Sequence, residues 1–572
     1  MNASQFRKQL TSKLQEHGDR PLLRIVLSPG ADPIELTGRE LLERSLALVD
    51  RYTANEPGSV VLLLLPHSLE LFLLHFGLIL REQLPAILPW PTSRIDAEKY
   101  QRNLLHQLEQ LPAAALITLP QLATNMAPWL PFPVTSCAIE DHTRFERAFT
   151  SRLVVEGKEK PPAIAAAPRP ADDAVFLQFS GGTTGAQKSV VVTAPMLLAQ
   201  MANLQRALDF GENDRVVSWL PLYHDMGLIA CLWFPLWHGA PSLHFSAGDW
   251  LLEPEVLFRY VEKYRATFCW LPNFAFAYLA AQRERMEGTF DVSSMRGWVN
   301  CSEPVRQRAM GAFAEAFAAW GVAAGSMQAC YAMAETVFAV TQTVPGIPPA
   351  TFPRAQVRER ATAFEKLSYD VIDDVYVSSG RRIAGTEVRI VDTDGSICGE
   401  ARPGQIQIRS QSLFSGYWGA DGFVTNALSD DGWYSSGDYG FQAEGELYVI
   451  GRFKDIVIVG GQNIFPEDVE LVVNTVPEIY PGRVVAFGVP EEQYQTESLA
   501  VVAELRGPYE RARAQQLERQ IQQLVLAAVG VAPRFVRVVP ERWIVKSTAG
   551  KISRRDTRAR FQQEMERPAL AV

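Results

Sequence analysis

The chain has 572 residues, 47% of them hydrophobic and 21% charged, with a formal net charge of −9. This length exceeds what one hydrophobic core serves, so at least two domains are expected, and the balance of residue types excludes a disordered chain. Mild acidity leaves no electrostatic footprint for nucleic acid or for an anionic membrane surface.

Met1 to Gln15 is polar and lacks the apolar stretch of a secretion signal. The run Thr37 to Tyr52 is predicted to be helical. Val60 to Leu65 and Leu71 to Leu80 are both strongly apolar, with Pro66, His67 and Glu70 between them. Neither is long enough to span a bilayer, so the pair reads as a buried strand followed by a core helix. Six cysteines (Cys137, Cys231, Cys269, Cys301, Cys330, Cys398) are scattered without a CxxC pair or a metal-type spacing, which predicts reduced thiols and a cytoplasmic protein.

Pro161 to Pro170 is rich in proline and alanine and reads as an exposed connection. The apolar run Ala174 to Phe179 that follows reads as a buried strand. After it comes Ser180-Gly181-Gly182-Thr183-Thr184-Gly185-Ala186-Gln187-Lys188. Glycines permit positive φ and close approach, so such a loop can fold N–H groups and hydroxyls around polyphosphate oxygens, with the lysine adding charge. It is not the nucleoside-triphosphatase loop, because Ala186 and Gln187 separate Gly185 from Lys188. Taken alone, it could equally be a plain flexible turn. Met196, Met201, Leu204 and Leu208 then recur at helical spacing, which predicts a strand–loop–helix frame. Strand-like and helix-like stretches alternate through most of the first 450 residues, an α/β pattern. From about Thr386 the pattern becomes short strands, and the polar run Gly451-Arg452-Phe453-Lys454-Asp455 marks a domain junction.

Five further segments accompany the loop: Trp219 to Gly227, Asn300 to Pro304, Tyr331 to Glu335, Tyr434 to Asp438 with Gly451 to Asp455, and Lys546 to Lys551. In this order they resemble the adenylate-forming superfamily of acyl-CoA synthetases, peptide-synthetase adenylation domains and luciferases. The Trp219–Gly227, Asn273-Phe274 and Ser302-Glu303-Pro304 segments look most like the fatty-acyl-AMP ligase branch. The resemblance implies an α/β fold. Its large N-terminal domain (1–451) would hold α/β subdomains and a β-rich subdomain, and its small mobile C-terminal α/β domain (452–572) would carry the catalytic lysine. The reaction implied is activation of a carboxylic acid with ATP and Mg2+ to acyl-AMP and pyrophosphate, followed by transfer to a thiol.

The same resemblance assigns roles. Thr183, Thr184, Gly185 and Lys188 match the loop that holds the β- and γ-phosphates, although Gln187 and Ser189 depart from the usual proline and glycine. Glu335 matches the magnesium-associated carboxylate; one suffices, since a cation bridging phosphates takes one or two. Ser302, Glu303 and Pro304 match one strip beside the base, and Tyr331, Ala332 and Met333 the other. Asp438 matches the aspartate of the ribose diol, a carboxylate being able to accept two hydrogen bonds at once; out of that context it would be an ordinary turn residue. Arg452 matches a second ribose or phosphate contact, Lys454 the hinge, and Lys551 the catalytic lysine, with Lys546 a weaker competitor. Trp219, His224, Trp270, Asn273 and Phe274 are expected around the acyl pocket; His224 has no partner at metal-ligand spacing and could be structural.

Trp270, before Leu271-Pro272, stands where the branch commonly has small residues, and Ala332 replaces a glycine. Added bulk predicts a shorter or flatter acid than a long fatty acid, unless Trp270 packs elsewhere. Pro345 to Tyr376 is long, with a helix-like Ala361 to Leu367, and is the candidate for the branch's insertion. No fused phosphopantetheine site appears, so the acceptor is expected in trans: a carrier protein, or coenzyme A if the chain is an acyl- or aryl-CoA synthetase. A non-catalytic nucleotide-binding regulator would have lost the lysine or the glutamate, and both are present.

Overall fold

Val60–Leu64 is buried at every position, as a strand covered on both faces must be. In the computed structural model it lies within an eight-stranded sheet ordered Gly422–Val424, Tyr417–Gly419, Ser189–Thr193, Ala174–Phe179, Leu84–Ile87, Val60–Leu64, Ala115–Thr118, Val134–Ser136. The structure describes residues 1–52, 56–90, 100, 104, 108, 111, 113–128, 130, 132–139, 172–180, 188–360, 374–419, 422–424, 427–459, 462–491, 496–546 and 552–566. The expected Thr37–Tyr52 helix is observed as Gly38–Val49, started by a capping box in which Thr37 and Glu40 satisfy each other's backbone N–H groups. It packs tightly on the helix Leu69–Leu80. A Cβ on Gly77 would lie 2.5 Å from the Ser45 carbonyl, so only glycine permits that approach.

A nine-stranded sheet carries most of the site. Its central strands Met327–Ala332, Gly297–Cys301, Phe268–Pro272 and Val216–Ser218 are neighbours in that order and parallel. Open parallel sheets offer ligands the crevice beyond the carboxyl ends of their strands. Four of the segments singled out by sequence leave those ends: 333–335, 302–304, 273–274 and 219–227. The first two strands are in register through Cys301 and Cys330, which sets Ser302 beside Tyr331.

The predicted strand–loop–helix frame around the glycine-rich loop is corrected. Ala174–Phe179 pairs antiparallel with Ser189–Thr193, so the loop joins a hairpin, and the helix Ala194–Leu208 follows only then. Val190, Val191 and Val192 are β-branched and favour a strand, and Pro195 in the first turn delays the helix start. Pro161 to Pro170 and Ala361 to Leu367 lie outside the described residues.

The short strands expected from Thr386 form a four-stranded antiparallel sheet, Thr386–Val391, Gly404–Ser410, Tyr434–Ala443 and Glu446–Arg452. Beyond Arg452 come a turn at Phe453–Asp455, a hairpin, and a three-stranded sheet (Ile479–Glu491, Thr496–Leu505, Phe535–Val539) flanked by helices Pro466–Val473, Arg511–Val529 and Arg554–Glu566. Phe352, Tyr376, Phe441 and Tyr448 share one apolar cluster with Val469, Val472, Leu517 and Ile521, so the core of this last region continues into the preceding sheet. No described helix is long and apolar enough to cross a membrane.

Candidate active site

Glu335 sits in a tight turn after the strand Met327–Ala332 and is 8% exposed. Two features build that turn. Gln178 Nε2, in the strand before the glycine-rich loop, donates to the carbonyls of Ala334 (2.8 Å) and Val337 (3.0 Å). Val337 itself takes φ +66°, a costly conformation for a β-branched residue, held because both sides are pinned. The Tyr417 hydroxyl donates to Glu335 Oε1 at 2.6 Å and lies 2.9 Å from the Tyr434 hydroxyl. Burial pushes the Glu335 carboxyl above its ordinary range, and nearby Asp225 adds to the shift. Lys188 Nζ stands 4.4 Å above the Tyr417 ring. Lys188 and Glu335 are thus brought to two sides of one tyrosine.

Asp438 is the second anchor. Its Oδ2 accepts from the Tyr331 hydroxyl at 2.6 Å, and its Oδ1 lies 3.1 Å from Arg452 Nε. Asp438 and Arg452 face each other across paired strands. Each carboxylate oxygen has a second lone pair, so this pairing still leaves acceptor capacity for a diol. Tyr331 therefore holds the aspartate rather than standing free. Lys454 follows Arg452 by two residues; burial and the Arg452 charge lower its pKa, and Lys188 also contributes. Arg452 feels the charges of both Asp438 and Glu335, and Lys454 those of Arg452 and Lys188, so three cations and two carboxylates are neighbours here.

On the other side, Glu303 Oε2 accepts from Phe274 N (2.9 Å) at the start of the helix Asn273–Gln282, a favourable place for an anion. Asn273 Oδ1 accepts from Asn300 Nδ2 (2.9 Å) and Arg306 N (3.1 Å), lacing 273–274 to 300–306. Ser302 takes φ +77° beside half-buried Pro304. Ala332 and Met333 are half-buried just before Glu335. His224 Nδ1 lies 2.6 Å from Asp225 Oδ1 at the mouth of a π-helical segment, Met226–Trp233, a wide turn that local hydrogen bonding rarely favours. Trp219 stacks face to face on Trp250 (4.0 Å between centroids, 5° between planes), with the Phe274 ring edge-on to both. Trp270 is fully buried, packed against Phe268 and Phe234.

Thr183, Thr184, Gly185 and Lys551 lie outside the described residues. Their flanks are closed. Ser180 N donates to the Lys188 carbonyl at 2.9 Å, and Lys546 bridges Ile552 in antiparallel fashion. Sequence reading missed Gln178, Tyr417 and Trp250. Gln178 had one visible signal, a single amide in an apolar strand. Trp250 and Tyr417 had none, because their partners lie 31 and 82 residues away in the chain.

A family model described as "AMP-binding enzyme" matches residues 10–418. The chain belongs to the AMP-binding enzyme family. Members use ATP, and this chain is a ligase of the adenylate-forming kind. The long-chain-fatty-acid–AMP ligase FadD26 of Mycobacterium marinum is 26% identical over 607 aligned positions, covering 97% of this chain and 98% of that protein. FadD32 of the same species, also a long-chain-fatty-acid–AMP ligase, is 29% identical over 432 positions, 68% of each. Among solved structures, a fatty acyl-adenylate ligase from work on the E. coli and L. pneumophila enzymes aligns with TM-score 0.80 at 23% identity, over 97% of this chain and 98% of that one. The structure of McyG A-PCP complexed with phenylalanyl-adenylate aligns with TM-score 0.78 at 20% identity, over 98% of this chain and 83% of that one. These alignments bear out the expected α/β fold with a large N-terminal and a small C-terminal domain.

Among the described residues no group of three or more metal-ligating side chains occurs. A magnesium ion carried by nucleotide phosphates does not need one. The buried carboxylate Glu335, with Oε1 steadied by Tyr417, suits an ion that takes one or two protein carboxylates and keeps its waters.

Proposed function

We propose that this protein joins a carboxylic acid to ATP, forming acyl-AMP and pyrophosphate, and then passes the acyl group to the phosphopantetheine thiol of a carrier protein acting in trans. The observation that carries this reading is the proximity of Lys188, Arg452 and Lys454 to Glu335 and Asp438. It supplies cations where phosphate charge would sit, plus a buried carboxylate for Mg2+.

In the first step a carboxylate oxygen attacks the α-phosphorus, and the bond to the bridging oxygen of pyrophosphate breaks. Charge spreads over phosphate oxygens, so catalysis is mainly positioning and electrostatic stabilisation. Thr183, Thr184, Gly185 and Lys188 hold the leaving phosphates. Ser302, Glu303 and Pro304 on one side, and Tyr331, Ala332 and Met333 on the other, confine the base. Asp438 and Arg452 fix the ribose. Lys551 donates to the attacking carboxylate and the α-phosphate through its compact ammonium. Glu335 would hold Mg2+, which when bound would neutralise charge on the phosphates. In the second step the thiolate attacks the acyl carbonyl and AMP leaves. Residues 1–451 form the large domain and 452–572 the small one, and Lys454 is the hinge on which the small domain turns between the two steps.

The acyl group lies among Trp219, His224, Trp270, Asn273 and Phe274. Trp219 stacked on Trp250, with Phe274 edge-on to both, fills volume there, which supports a shorter or flatter acid over a long fatty acid. Pyrophosphate release measured with aryl acids and a graded series of fatty acids tests the whole reading. No acyl-AMP with any acid defeats the activity, and best turnover on very long chains defeats the specificity. Supplying coenzyme A and a carrier protein separately to preformed acyl-AMP decides the acceptor.

A further inference from the structure

The helix Pro466–Val473 of the small domain presents Asp468 to two arginines of the large domain. Asp468 is 2% exposed. Arg354 Nη1 lies 3.2 Å from both of its oxygens, and Arg306 Nη1 lies 3.6 Å from Oδ1. Arg354, 4% exposed, also stacks its guanidinium over the Tyr376 ring at 4.2 Å. Both arginines stand at helix starts, Arg354 opening Arg354–Arg360 and Arg306 capping Gln307–Ala316. They are held by their own backbones: Arg354 N donates to the Asp374 carbonyl, and Arg306 N to Asn273 Oδ1.

We infer that Asp468 is a positioning residue, the latch by which the large domain holds the small domain in the orientation described, and that it must open when the small domain turns. The inference rests on the two-orientation reading above. A carboxylate buried between two guanidiniums is favourable only while the three groups meet, and removing one partner leaves charge stranded in the interior. Rotation carries Asp468 away from both arginines and returns it to water. The latch is also tied to the site. The Arg306 backbone hangs on Asn273, which holds Asn300, while Glu303 holds Phe274. Residues that face acid and base therefore set the position of one jaw.

The test uses the full chain, labelled for energy transfer at two exposed positions, one on each domain, through Glu315→Cys and Arg519→Cys. Cys398→Ser removes the partly exposed native thiol. In this background Asp468→Asn and, separately, Arg306→Gln are compared with the parent. Hexanoic, dodecanoic and benzoic acids serve as probes for pyrophosphate release, and pantetheine as the thiol for preformed acyl-AMP. The expected result is a changed distance distribution, with the two half-reactions moved by factors at least about fivefold apart and both substitutions acting in the same sense. An unmoved distribution, or equal factors in both half-reactions, overturns the latch. Arg306→Gln keeps the proposal open to refutation if Asp468→Asn does not fold. If the parent makes no acyl-AMP, the proposed function fails while the distance measurement still judges the latch.

Discussion

Two ion clusters, one half-buried and one buried, share the helix Pro466–Val473 and differ in what they join. Glu467 and Glu470 lie three positions apart, on one face, and meet Arg554 at 3.2 and 2.8 Å; Asp455 completes that cluster at 2.8 Å. Every member lies beyond Arg452. Asp468, turned about 100° around the same helix, meets Arg306 and Arg354, which precede Gly451. One cluster sets a single cation among three carboxylates that all follow Arg452; the other sets a single carboxylate between two cations, across the proposed domain boundary. Burial pushes Glu470 up to about 7 even beside Arg554, whose own pKa is raised by the carboxylates around it. The first cluster joins the helix Arg554–Glu566 to Asp455, whereas the second is the contact that a proposed turning of the small domain would have to release.

The largest expected effect separates loop chemistry from loop anchoring. Lys551→Ala should cut pyrophosphate release on the order of 10³-fold and leave transfer from supplied acyl-AMP nearly intact. Equal loss in both assays would break the two-orientation picture. Arg554→Gln strands three half-buried carboxylates, so urea unfolding should show a loss of about 3 kcal/mol, with both half-reactions falling together. A stability unchanged from the parent would dissolve the contrast with Asp468.

Glu335→Gln should lower pyrophosphate release about 10²-fold and flatten its dependence on Mg2+ concentration. The raised pKa of Glu335 sharpens this. A carboxyl whose folded pKa lies above its unfolded value near 4.5 adds stability that is full below 4.5 and lost as pH rises through the folded value. Metal-free unfolding across a pH series should show that decline in the parent and not in Glu335→Gln. The Mg2+ needed for half-maximal release should rise as pH falls into the same window. The smallest effect is expected at the hinge: Lys454→Pro, which fixes φ, should slow thiol transfer severalfold more than adenylation, read by the two assays side by side.

Local sequence carried much of this protein. Val60–Leu64 as a covered strand, the Thr37–Glu40 helix start and the sheet beyond Thr386 follow from apolar runs, capping and turn chemistry that act over a few residues. The candidate residues Lys188, Glu335, Asp438 and Arg452 could be picked out from their own short segments too. Which groups meet was not legible. Gln178 reaches the Glu335 turn across 156 residues, Tyr417 reaches Glu335 across 82, Trp250 covers Trp219, and Asp468 finds Arg306 and Arg354 instead of the Arg554 taken by its neighbours. The hairpin at the glycine-rich loop was likewise settled by strand pairing, not by the loop's own composition. Propensity and pattern act between near neighbours in the chain, whereas burial, pairing of charge and the direction a side chain takes depend on what the folded sheets bring alongside.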